Sequence, residues 1–146
     1  MSLRRDADVI SLISVAHGTS HFYHLILAPL FPWLKVEFNL SYAELGLLMT
    51  VFFIVSTVMQ ALAGFWVDRS GPLRVLFFGV GTLAVSAVLL SQAQGYWTLL
   101  MGASLAGLGN GVFHPADYTL INRRVSSTRI AYAYSMHGVS GALGWA

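Results

Sequence analysis

His17, His21 and His24 recur at intervals of four and three residues, and His114 and Asp117 stand three apart. At about 100° per residue the three histidines fall within an arc of roughly 60° on a helix, and the second pair also shares a face. Imidazole has a reference pKa of about 6.5, so these histidines can load and unload protons near neutrality. A neighbouring carboxylate favours the charged form of the ring. The chemistry on offer is proton binding and polar contact with a substrate, at His21, His24, His114 and Asp117, with His17 one turn earlier. The same imidazoles suit a second chemistry, axial ligation of a haem iron by histidines of two helices, as in a membrane cytochrome. A hydrolase built on His114 and Asp117 would call for a serine elbow or a His-Glu-x-x-His run, and the sequence has neither. No cysteine occurs, which excludes disulfides, thiolate metal sites and cysteine nucleophiles. The transport reading needs no cofactor and no metal.

These residues sit in an unusually apolar chain. Of 146 residues, 56% are hydrophobic and only 10% charged, and the mean hydropathy is +0.68. An ordinary soluble domain carries about 25% charged residues. Disordered tails, coiled coils and ordinary soluble enzymes are therefore excluded. A net charge of +2 from eight basic residues does not furnish a nucleic-acid face. Lipid is the expected solvent.

Charged residues mark out the spans. The stretches 9–34, 45–67 and 75–116 hold no Asp, Glu, Lys or Arg. A helix needs about 20 apolar residues to cross hydrocarbon. The longest stretch is divided at Ser91-Gln92-Ala93-Gln94-Gly95, a polar turn with Tyr96 and Trp97 beside it as interface anchors. Five helices follow, at about 9–34, 42–67, 75–92, 96–121 and 130–146. The expected class is an all-α membrane protein, a partial bundle with the fifth helix just begun. The run from Ile130 is still apolar at Ala146, so the chain is read as an incomplete amino-terminal transmembrane domain, completed by the remainder of its own polypeptide. With the amino terminus inside, Arg4, Arg5, Arg69, Arg74, Arg123, Arg124 and Arg129 fall inside and only Lys35 outside. That asymmetry predicts a multi-pass protein of the inner (plasma) membrane with a cytoplasmic amino terminus.

Local signals agree. Ser41-Tyr42-Ala43-Glu44 is a capping box that opens the second helix, which makes Glu44 a cap. Ser70-Gly71-Pro72 is a tight turn between the second and third helices. Asp6 and Asp8 are read as solvated. Helices 2, 3 and 5 are expected to carry almost nothing ionisable. Gly107 and Gly111, and Gly138, Gly141 and Gly144, repeat at spacings that let helix backbones approach closely.

The segment Gly64-Phe65-Trp66-Val67-Asp68-Arg69-Ser70-Gly71-Pro72-Leu73-Arg74 resembles the signature of the major facilitator superfamily, in the family's position between the second and third helices. Pro72 and Leu73 stand where basic residues are usual. The segment Val112-Phe113-His114-Pro115-Ala116-Asp117 and the histidine-rich first helix are similar to the fosmidomycin-resistance-like and related bacterial members. The resemblance covers the whole chain but about the first third of a family protein. It implies two six-helix halves, with helices 1 and 4 lining a central cavity. It further implies secondary active transport of a small molecule by alternating access, with protons as the expected partner. On this reading Gly64, Asp68, Arg69, Gly71 and Arg74 form a conformational latch, not a binding site. No nucleic acid is expected as a partner.

Overall fold

A computed structural model describes residues 3–146. Seven α-helices and two short 3₁₀ turns follow one another, with no strand among the described residues. We number the helices α1 (Leu3–Leu25), α2 (Phe31–Glu37), α3 (Tyr42–Ser70), α4 (Pro72–Ser91), α5 (Tyr96–Asn110), α6 (Phe113–Arg124) and α7 (Ile130–Gly144).

Prolines decide where the long apolar runs break. The run expected as one helix over 9–34 is α1, a 3₁₀ turn at Ala28–Leu30, and α2. Helix α1 stops at Leu25 because Pro29, four residues on, has no N–H for the Leu25 carbonyl. Pro32 then occupies the first turn of α2, where its missing N–H costs nothing. The run expected over 96–121 is divided in the same way. Pro115 cannot donate to the carbonyl of Gly111, and α5 ends at Asn110, one residue earlier. Helix α6 resumes at Phe113, and the Ala116 amide still reaches the Val112 carbonyl at 3.2 Å.

Helix α3 has the clearest start. Ser41 Oγ accepts the Glu44 amide at 3.2 Å, and the Ser41 amide donates to Glu44 Oε2 at 2.8 Å. The turn into α4 rests on Gly71, whose φ of 83° and ψ of 148° suit only glycine.

Helices α4 and α5 form an antiparallel hairpin, α1 lies along α7, α3 along α5, and α6 touches α1, α3 and α4. Three apolar layers follow the long axis. Ile10, Ile13, Leu120, Ile121 and Ala133 fill the end that holds the start of α1. Phe52, Val75, Leu83, Val112 and Phe113 fill the middle. Leu27, Leu45, Leu48 and Leu99 fill the far end.

The surface carries many large apolar side chains. Leu12, Phe77 and Trp97 are 72%, 74% and 75% exposed. Helices α3 and α4 are long and apolar enough to cross a membrane, with most of each apolar stretch on the surface. Asp6, His17, Ser56, Asn110, Asp117 and His137 are buried instead. A water-soluble protein has the opposite arrangement.

Two expectations are corrected. Asp6 is fully buried, not solvated. Its Oδ2 accepts from Ser126 Oγ at 2.5 Å and pairs with Arg129 Nη1 at 2.6 Å, which fastens the start of α1 to the start of α7. Ser126 and, less strongly, Arg129 hold this carboxyl below its usual range. Helix α7 is also not free of ionisable groups, because His137 lies buried within it.

Candidate functional site

Helix α1 supplies His17, His21 and His24 to one face, as the spacing requires, and that face meets α6 and α7. His17 contacts His21, His114 and His137, with ring centroids at 4.3, 4.9 and 3.5 Å. His17 and His137 are stacked, 22° from parallel. Asp117 closes the group from α6. Its Oδ2 lies 3.2 Å from His137 Nε2, a hydrogen bond, and 3.4 Å from His17 Nδ1, a close contact that is not aligned as one. Among the described residues, Asp117 pairs with these rings and with no arginine.

Gly141 allows this assembly. A Cβ at that position would stand 3.0 Å from His17 Nε2 and 3.0 Å from the His21 ring. Gly144 lies against the backbone of Gly18, and Gly107 and Gly111 lie against the backbone of α3 at Phe52 and Ser56. Gly138 differs from the packing role expected of it: a Cβ there meets nothing within 4 Å. It lies at an exposed position of α7.

His24 belongs to a second group. Trp145 Nε1 donates to His24 Nδ1 at 3.2 Å, so His24 Nε2 carries the proton it gives to Asn110 Oδ1, 3.1 Å away. Ser56 Oγ donates to the same oxygen at 2.7 Å, and Asn110 Nδ2 donates to the Ser20 carbonyl at 2.9 Å. Asn110 thus ties α1, α3 and α5 together beside the break. His21 bridges the two groups, stacked on His24 at 4.7 Å.

Sequence reasoning missed His137, Asn110 and Ser56. His137 was findable, because any ionisable residue within an apolar span is a candidate by its cost alone. The two histidine groups leave several buried atoms without a hydrogen-bond partner: His17 Nδ1, both nitrogens of His21, His114 Nδ1 and Asp117 Oδ1. Buried polar atoms are nearly always satisfied, which marks these as candidates for contact with a bound group or water.

The residues expected to form a latch lie apart from the histidines. Arg69, Gly71 and Arg74 line a depression together with Arg123 and Arg124. Asp68 is exposed and, among the described residues, joins no ion pair. A Cβ on Gly64 would meet nothing within 4 Å.

An apolar exterior around a buried polar seam defines a multi-pass helical membrane protein. The sequence profile described as Major Facilitator Superfamily matches residues 12–146, and the chain belongs to that family of membrane transporters, which are not enzymes. It is 28% identical over 141 residues to the fosmidomycin resistance protein of Escherichia coli (strain K12), covering 97% of this chain and 34% of that protein. It is 25% identical to an uncharacterized MFS-type transporter of Bacillus subtilis (strain 168), covering 94% and 34%. It is 32% identical to a probable 4-methylmuconolactone transporter of Cupriavidus pinatubonensis, covering 80% and 27%. The chain thus spans about a third of the length of the first two relatives.

Proposed function

We propose that this chain serves secondary active transport of a small molecule, coupled to protons and working by alternating access. The observation that carries the reading is Asp117, fully buried and held between His17 and His137. A lone carboxylate in such a place is costly, and it persists only if it is protonated or paired with a charged imidazole. Either way one proton belongs to the group. Its residues come from α1, α6 and α7, so any rearrangement of these helices changes what Asp117 can pair with, and with that its hold on the proton. His21 and His114 extend the seam, and their unpartnered nitrogens offer the substrate contacts. His24, held by Trp145 and Asn110, orients the far end of the seam.

The arginine-lined depression suits the inside of the cell, which supports a cytoplasmic amino terminus and an inner-membrane location. Asp68, Arg69 and Arg74 then act as a latch that sets the balance between inward-open and outward-open states. The haem reading has no support in the geometry. The rings of His17 and His21 lie 4.9 and 5.9 Å from that of His114, where a macrocycle would have to separate an axial pair.

The test uses the full-length protein in vesicles loaded with a pH dye. Probes are the compounds for which relatives are named: fosmidomycin, nitrite, ascorbate and 4-methylmuconolactone. At least one is expected to move protons with it, and Asp117→Asn is expected to abolish that movement while downhill exchange of the compound persists. Full proton coupling in Asp117→Asn would overturn the assignment.

A further inference from the structure

Four arginines gather at the end of the bundle that holds the start of α1. Arg69 at the end of α3, Arg74 in the first turn of α4, and Arg123 and Arg124 in the last turn of α6 line a single depression. No carboxylate lines it, and none of the four joins an ion pair among the described residues. An anion placed there is attracted by all four charges at once. Guanidinium groups match the oxygens of a phosphate in a two-pronged fork, which makes phosphate the favoured anion. The depression measures about 440 Å³, within the range of small-ligand sites, about 300–1,000 Å³.

Position selects the source of that phosphate. The depression is built on the Ser70-Gly71-Pro72 turn, where α3 meets α4, and both helices are long and apolar enough to cross a membrane. The turn therefore lies at a membrane surface, level with the lipid headgroups. Leu73, Leu120 and Arg124 also line an apolar groove that runs along α1 and α4 past Leu12 and Phe77, both highly exposed. A soluble anion leaves this groove bare, whereas a phospholipid fills both parts. Basic pockets between membrane helices take anionic headgroups in this way. We infer that the depression binds the phosphodiester headgroup of one anionic phospholipid, with an acyl chain lying along the groove between α1 and α4. The site needs a bilayer but no proton coupling: a protein that moved no protons would still hold the lipid.

The experiment uses full-length protein in detergent, stripped of lipid and titrated with dioleoyl phosphatidylglycerol or dioleoyl phosphatidylcholine. Bound lipid is counted by native mass spectrometry. The two lipids share their chains, and only the first carries a net charge. The expected result is one phosphatidylglycerol retained per chain at concentrations where phosphatidylcholine is not, with an affinity that falls as salt rises. Arg123→Gln/Arg124→Gln, which leaves Arg69 and Arg74 in place, is expected to weaken phosphatidylglycerol binding about 25-fold, at roughly fivefold per arginine. Lys35→Gln, in α2 at the other end of the bundle, is expected to bind as the wild type does. A photoactivatable phosphatidylglycerol locates the site on the wild type without relying on a variant that folds. Labels within 69–80 or 120–124 support the assignment. Equal retention of the two lipids, unaltered affinity in the double variant, or labels confined to other segments overturns it. Displacement of the lipid by glycerol phosphate at equal concentration also overturns it, by revealing a site for a soluble anion.

Discussion

At the scale of single residues, two glycines three apart on α7 make opposite predictions. Gly141→Ala forces a methyl group to within 3.0 Å of His17 Nε2 and the His21 ring. Crowding of that kind costs about 1–3 kcal/mol. Gly138→Ala meets no neighbour within 4 Å, and it gains up to about 1 kcal/mol of helix propensity. Thermal unfolding in detergent separates the two, with the first expected to fall and the second to hold or rise. Asp6 offers a pH test. Its folded-state pKa is lowered, so its contribution to stability is complete above the unfolded value of about 3.9 and is lost as pH falls through the lower folded value. Wild type and Asp6→Asn are expected to differ near neutrality and converge in acid. The histidine stripe of α1 was legible from spacing alone. The partners of Asp6 were not, because Ser126 stands 120 positions away and only the folded bundle brings it near. His137 stands alone in a short glycine-rich apolar run, with no second histidine at helical spacing to mark a face.

At the scale of elements, caps and prolines account for most of the boundaries. Charge-free gaps located the spans, because a bilayer tolerates few charges across its core. The same gaps concealed the breaks inside the spans. Pro29 and Pro115 each remove one backbone donor, and α1 and α5 end beside the carbonyls left unpaired. The break after α5 places Asn110 where its amide can serve α1 and α3 at once. Two substitutions test the ends of α3. Ser41→Ala removes the side-chain half of its capping box and is expected to cost about 1 kcal/mol. Gly71→Ala imposes a side chain on a backbone that only glycine adopts freely, at a cost of about 1–3 kcal/mol. Both are read as shifts in the midpoint of thermal unfolding, and an unchanged midpoint for Gly71→Ala would mean that the turn can be rebuilt at little cost.

At the scale of the whole molecule, the bundle is inverted relative to a soluble protein, with apolar residues facing out and titratable ones packed inside. The proposed transport needs that inversion, since a titratable seam inside a lipid-facing bundle lets helix rearrangement control its access to water. Spin labels placed singly on the full-length protein in lipid vesicles test it most directly, by collision with oxygen, which concentrates in lipid, and with a water-soluble nickel chelate. Labels at Leu12, Val15 and Phe77, all highly exposed, are expected to meet oxygen freely and the chelate scarcely at all. Labels at Ala116 and Ala133, both buried, are expected to be shielded from both. Free access of the nickel chelate to Leu12 or Phe77, or strong oxygen collision at Ala116, would contradict the arrangement on which the proton assignment stands.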